Sequence, residues 1–169
     1  SFSDQYEMAP CITDDGNGGA YVAWAFYNNQ EYDVYAQRLT ASGGQMWQNG
    51  GIPLTPASGA QDTPSLLADG SGKAFLCYTS WASGSIPRQQ VVVLNPDGST
   101  AASLGLSSAS GAQRNPELAL VTTGVLGIAW EDGRAGSGKT RSYAQLINNA
   151  GTKSWSADGV AVSNRAGNQ

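Results

Sequence analysis

The pentapeptide Ala57-Ser58-Gly59-Ala60-Gln61 returns letter for letter as Ala109-Ser110-Gly111-Ala112-Gln113, 52 residues later. A looser copy, Arg165-Ala166-Gly167-Asn168-Gln169, stands a further 56 residues on. A period of this length marks a chain assembled from stacked supersecondary units, each too small to bury its own faces. The spacing divides the chain into repeats at 1–61, 62–113 and 114–169, the second being the divergent one.

The period holds at other positions. Pro10, Pro64 and Pro116 each precede an aromatic by 14 residues: Trp24, Tyr78 and Trp130. A constant spacing of this kind requires one rigid, hairpin-like piece. Between Pro and aromatic lie Asp14-Asp15-Gly16-Asn17-Gly18 and Asp69-Gly70-Ser71-Gly72, which supply the positive-φ positions of tight β-turns; the third unit has Thr122-Thr123-Gly124. A second motif runs Tyr32-Asp33-Val34-Tyr35-Ala36-Gln37-Arg38-Leu39 to Trp47, and its counterpart runs Ser142-Tyr143-Ala144-Gln145-Leu146-Ile147 to Trp155. Trp47 and Trp155 each stand 14 residues before the signature glutamine, Gln61 and Gln169, while Ala102 takes the Trp position in the second unit. Each unit holds four short apolar runs, in the first unit near 10–14, 19–26, 32–40 and 51–56, and no segment shows a capped 3.6-residue period. Four antiparallel strands in fifty-odd residues is the size of a propeller blade. The expected fold class is therefore all-β, with three four-stranded antiparallel blades of β-propeller type belonging to a larger ring or assembly.

The segments Asp15-Gly16-Asn17-Gly18-Gly19 through Trp24, Tyr32 through Leu39, and Trp130-Glu131-Asp132-Gly133-Arg134 resemble a repeat family of large secreted or surface proteins of bacteria. Arrays of that family read D-G-x-G-G-A-x-x-x-W-x-D-x-R followed by D-I-Y-A-Q-R-L. The resemblance covers the whole chain and implies a β-propeller-like fold and an extracellular or cell-surface setting. It implies no particular reaction.

Composition narrows the partners. With 9 Lys+Arg against 13 Asp+Glu and a pI near 4.6, nothing offers the basic patch that nucleic acid or an anionic membrane would need. No apolar stretch approaches a membrane span. Three blades alone leave two apolar blade faces uncovered, so the expected partners are further repeats of the same protein or a second copy, closing a ring or stacking head to tail. The segment Ser1–Glu7 is in register with Ser163–Gln169, which suits such repeat-to-repeat assembly.

Candidate chemistry is sparse. The chain has no histidine, which removes Ser-His-Asp and Cys-His catalysis and the common zinc sites. The carboxylate pairs Asp14/Asp15, Glu31/Asp33 and Glu131/Asp132 fall at turns and strand ends and read as turn chemistry rather than as a glycosidase pair. Asp14, Asp15 and Asn17 could offer oxygens to Ca²⁺, against the alternative of an ordinary Asx turn. Trp81, off-register in its loop, together with Tyr27 and Tyr32, could stack on a glycan; the alternative for Trp81 is packing on a neighbouring blade. Trp24, Tyr78, Trp130, Trp47 and Trp155, with Gln61, Gln113 and Gln169, are expected to be structural. Cys11 and Cys77 could meet across adjacent blades, or stay as two buried thiols. The leading expectation is a non-enzymatic extracellular assembly module without cofactor; the alternatives are a lectin-like carbohydrate-binding module and a remote glycoside-hydrolase propeller.

Overall fold

A computed structural model describes residues 6–28, 30–54, 58–82, 84, 86–136 and 138–162. These residues form twelve strands in three antiparallel four-stranded sheets, one per repeat. The first blade holds β1 (Tyr6–Asp14), β2 (Ala20–Tyr27), β3 (Tyr32–Leu39) and β4 (Ile52–Pro53). The second holds β5 (Gln61–Ala68), β6 (Ala74–Ser80), β7 (Arg88–Leu94) and β8 (Thr100–Gly105). The third holds β9 (Gln113–Thr122), β10 (Val125–Asp132), β11 (Arg141–Asn148) and β12 (Val160–Ala161). In each blade the strands lie in chain order. β1 packs beside β5 and β5 beside β9, so the first strand of every blade lies on the inner side of the stack. The all-β, three-blade expectation is met, and no helix among the described residues is long and apolar enough to cross a membrane.

Strand alternation sorts the core into two interfaces. Tyr21, Ala23, Val34 and Ala36 of blade 1 pack against Leu66, Leu76, Tyr78, Val92 and Leu94 of blade 2. The opposite face of blade 2, with Phe75, Cys77, Val91 and Val93, packs against Leu126, Ile128, Trp130 and Ile147 of blade 3. Blade 2 is thus apolar on both faces, which is why β6 reads Ala74-Phe75-Leu76-Cys77-Tyr78 without alternation. Each large apolar side chain buried this way contributes roughly 1.5–3 kcal/mol.

Polar bonds lock the same junctions. Tyr21 Oη donates to Gly72 O at 2.6 Å and Trp47 Nε1 to Pro96 O at 3.0 Å, both from blade 1 to blade 2. From blade 3, Asn149 Nδ2 donates to Asp69 Oδ2 at 3.1 Å and Lys153 Nζ to Leu106 O at 2.9 Å. The signature glutamines open the inner strands: Gln61 is the first residue of β5 and Gln113 of β9. Gln113 is fully buried; its Nε2 donates to Ser107 O at 2.9 Å and its Oε1 accepts from Gln89 N at 3.1 Å. The third signature glutamine, Gln169, and the register between Ser1–Glu7 and Ser163–Gln169 fall largely outside the described residues.

One expectation needs correction. Pro10 does not start its strand: β1 begins at Tyr6 and carries Pro10 in its interior. Proline lacks the ladder N–H, and a bulge absorbs the defect, since the β1–β2 register slips between Met8 and Cys11. Of the two readings for the cysteines, the free thiols hold: Cys11 and Cys77 form no disulfide. Cys11 belongs to the blade 1–2 core and Cys77 to the blade 2–3 core, on opposite sides of blade 2, and both are free thiols. Complete burial pushes the Cys77 thiol up to about 12.

Candidate functional site

The bulge in β1 recurs in the other inner strands. The β5–β6 register slips between Asp62 and Ser65, and the β9–β10 register slips opposite Asn115 and Pro116. At the residue before each proline the backbone turns left-handed: φ is +50° at Ala9, +48° at Thr63 and +50° at Asn115. Among the described residues these are the only non-glycines with positive φ. A β-branched residue in this region is a conformational outlier, and a following proline disfavours helical backbone further. Strain repeated at one register in three blades is a built feature, of the kind that re-aims side chains at functional sites.

The residues beside the bulge differ where the scaffold repeats. Met8, Asp62 and Arg114 are register-equivalent, as are Ala9, Thr63 and Asn115. Between blades 2 and 3 these positions enclose a cleft of about 360 Å³ whose walls include Asp62, Thr63, Thr79, Trp81, Arg114 and Asn115. Trp81 follows β6 and is held by its amide, which donates to Ala60 O at 2.8 Å. Its indole Nε1 donates to Asp62 Oδ2 at 3.2 Å, and the Arg114 guanidinium lies 5.8 Å from its ring centroid. Thr63 Oγ1 donates to Asp62 Oδ1 at 3.1 Å and lies 2.8 Å from Thr79 Oγ1. The cleft therefore presents an aromatic wall, one carboxylate, one guanidinium, an amide and hydroxyls.

Beside it, at the same end of the blades, sits a tyrosine cluster. Tyr6 and Tyr27 stack with centroids 5.0 Å apart, Tyr27 and Tyr32 lie at 5.2 Å, and Tyr32 Oη donates to Tyr6 Oη at 3.0 Å. That hydrogen bond, partial burial and the neighbouring charges, Asp62 among them, push the Tyr32 phenol up to about 12. Tyr32 stays protonated at any physiological pH, and with its proton held by Tyr6 Oη its oxygen is left to accept from a ligand hydroxyl. The three ligand candidates read from the sequence thus occupy one rim: Tyr27 and Tyr32 join Tyr6, and Trp81 joins Asp62 and Arg114. Asp62 and Arg114 escaped sequence reading; the signal that exposes them is chemical divergence at a fixed repeat register next to a strained backbone position.

The other candidates are structural in geometry. Asp15 Oδ1 accepts from Asn17 N and Gly19 N, both at 2.8 Å, while Oδ2 accepts from Arg38 Nε at 2.9 Å and Nη2 at 2.7 Å. Asp14 Oδ1 accepts from Gly16 N at 2.9 Å, and Asn17 Nδ2 donates to Asp15 O at 3.2 Å. The turn thus engages both carboxylate oxygens of Asp15 and one of Asp14, and among the described residues no three Asp, Glu or Cys side chains converge on a point. Glu31 accepts from Gly59 N, Asp33 from Asn28 Nδ2, and Asp132 pairs with Arg134 at 2.7 Å. A hollow of about 460 Å³ lies against Met8, Val22, Trp24 and Leu39 on the outward face of blade 1. Its polar lining is Glu7, Gln37 and Gln45, of which Gln37 Nε2 already donates to Gln45 Oε1 at 3.2 Å.

No protein-family profile matches the chain, and no curated protein sequence does. Solved structures do. An endo-arabinase from Bacteroides thetaiotaomicron superposes with a TM-score of 0.56 at 17% identity, over 92% of this chain and 61% of that one. A family 117 glycoside hydrolase of the marine bacterium Zobellia galactanivorans gives 0.58 at 13% identity, over 88% and 54%. An endo-1,4-beta-xylanase from Bacteroides thetaiotaomicron gives 0.52 at 14% identity, over 95% and 54%. At these identities the likeness shows the fold alone, and the chain spans about half to three-fifths of each neighbour's length. The expectation that the chain is not an enzyme is corrected by this result: the scaffold it shares is one on which glycan-cleaving enzymes are built.

Proposed function

We propose that the rim cleft at Trp81 is a sugar subsite in a carbohydrate-active, glycoside-hydrolase-type propeller to which this chain contributes three blades. The observation that carries the reading is the convergence of Trp81, Asp62 and Arg114 from two blades beside a repeated backbone strain. An indole offers an apolar face to the C–H side of a sugar ring, while the carboxylate, guanidinium, Asn115 and Tyr32 hydroxyl supply donors and acceptors for ring hydroxyls. Apolar surface with a few fixed polar groups is what small-ligand clefts offer. Fold likeness to endo-arabinase and family 117 glycoside hydrolase structures supports a glycan as the ligand class, by analogy. A polysaccharide ligand also suits the extracellular setting implied by the repeat resemblance.

Glycoside hydrolysis generally uses two carboxylates across the scissile bond. Among the described residues lining this cleft, Asp62 is the one acid. The proposal therefore assigns Asp62 to one of the two positions and leaves the second to another blade of the complete ring.

The test is binding of arabino- and xylo-oligosaccharides by calorimetry, with a reducing-sugar assay alongside. Binding is expected, and Trp81→Ala should weaken it at least about tenfold, a loss of roughly 1.4 kcal/mol, with thermal stability changed little. Absence of binding across a glycan array, or binding untouched by both Trp81→Ala and Arg114→Ala, would overturn the assignment.

A further inference from the structure

The chain uses one kind of blade interface twice and presents an unused half of it at each end. In blade 3, Leu118, Ile128, Trp130, Tyr143 and Ile147 are covered by blade 2. The same registers in blade 1 hold Ile12, Val22, Trp24, Tyr35 and Leu39, as the strand pairings show. These side chains are as apolar as their blade 3 counterparts, yet among the described residues no other blade covers them: Ile12 is 69% exposed, and Val22, Trp24, Tyr35 and Leu39 are half-buried. Trp130 Nε1 donates to Asp132 Oδ2, whereas position 26 in blade 1 is Phe and Trp24 Nε1 is buried without a partner among the described residues.

The other end shows the matching half. Phe75, Cys77, Val91 and Val93 of blade 2 cover Trp130, and their register equivalents on the outer face of blade 3 are Gly127, Ala129, Ala144 and Leu146. That face is extended by Val121, which lies over Gly127. The outer part of each blade repeats the pattern. The Trp47 ring lies 3.1 Å from the Cβ position at Gly98 in the next blade, and the Ala102 Cβ lies 2.6 Å from that at Gly151 in the next. Trp155, the third member of the series, is 41% exposed, and Gly43, the turn glycine of blade 1 equivalent to Gly98 and Gly151, has open space around its Cβ position.

We infer that the outward face of blade 1 docks the outward face of blade 3 of a second copy of this chain, with the partner's Trp155 seated on the Gly43 turn. The contact is heterologous, so two copies close a ring if the rotation permits and otherwise continue as a stack. This inference rests on the blade faces and is independent of the sugar cleft.

Sedimentation velocity of the 169-residue chain, with Ile12→Lys and Trp155→Lys variants, tests it. Wild type should sediment as a multiple of its 17.5 kDa mass. Each variant alone should be monomeric with an unchanged circular dichroism spectrum and cooperative melt. An equimolar mixture should recover a one-to-one dimer, because each variant keeps one intact face. A folded wild-type monomer at the highest soluble concentration would overturn the inference. So would an oligomer that survives both substitutions, or one that Ile12→Lys abolishes while Trp155→Lys leaves intact, which would indicate a symmetric face-to-face contact.

Discussion

Single residues carry the sharpest contrasts between repeats. Asp132 is wholly buried, yet it accepts from Trp130 Nε1 at 2.9 Å, from Arg134 N at 2.9 Å, and from Arg134 Nε and Nη2 at 2.8 and 2.7 Å. Burial pushes its carboxyl up, but the bonds from Arg134 and Trp130 together outweigh burial and hold it below the usual range. The Arg134 guanidinium in turn lies 3.7 Å from the Tyr143 ring centroid and donates to Asp158 O at 2.8 Å. Removing one partner of such a pair leaves the other charge poorly compensated, which costs about 3–5 kcal/mol for a buried pair. Asp132→Asn should therefore lower the unfolding free energy by about 3 kcal/mol in urea titration. Asp14→Ala, which loses one exposed turn bond, should stay within about 0.5 kcal/mol. Equal effects at the two positions would show that the Asp132 network contributes little.

At the scale of the element, the inner-strand bulge is the unit that matters. Ala9 gains nothing from its left-handed backbone that glycine would not also gain. An L-residue there costs roughly 1–2 kcal/mol, partly offset by the extra chain entropy of glycine in the unfolded state. Ala9→Gly should thus raise stability by about 0.5–1 kcal/mol, read as a higher urea midpoint at unchanged slope. A loss of stability would mean that the left-handed backbone carries no strain. This element also marks where sequence reading stopped. Blade count, the four strands and the repeat aromatics were legible because turns and prolines hold a fixed spacing. The bulge was not, because Ala9, Thr63 and Asn115 share no side-chain chemistry and only the following proline marks the place. Trp81, Tyr27 and Tyr32 could be picked out as aromatics at loops and strand ends. Asp62 and Arg114 could not, since each stands one residue past the signature glutamine and looks like part of the repeat tail. Their meeting depends on two blades packing side by side, which no local pattern encodes.

At the scale of the whole molecule, carboxylates tie blade to blade, and this fixes how the fold responds to acid. Asp158 of blade 3 accepts from Ser108 N at 2.7 Å and from Ser107 Oγ at 2.9 Å in blade 2, and the Ser108 amide above all lowers it to about 2. Asp69 of blade 2 is pushed up by burial, but bonds from Ser71, Asn149 of blade 3 and Lys73 prevail and lower it. Asp15 is lowered chiefly by the Asn17 amide and then by Arg38, whose Nη1 reaches Pro96 O in blade 2 at 3.2 Å. A carboxyl depressed in the folded state stabilises the fold at every pH above its unfolded value. That contribution disappears as pH falls through the folded value. The melting temperature should therefore stay level at mildly acidic pH and fall between pH 3.8 and about 2, the ordinary aspartate value and that of Asp158. Because these groups bridge blades, protonation should separate blades before it melts strands, so intrinsic tryptophan fluorescence should change at higher pH than far-ultraviolet circular dichroism. Asp158→Asn should lower stability at neutral pH and flatten part of the acid limb. A wild-type melting temperature that does not move from pH 5 to pH 2 would show that these carboxylates do not hold the blades together.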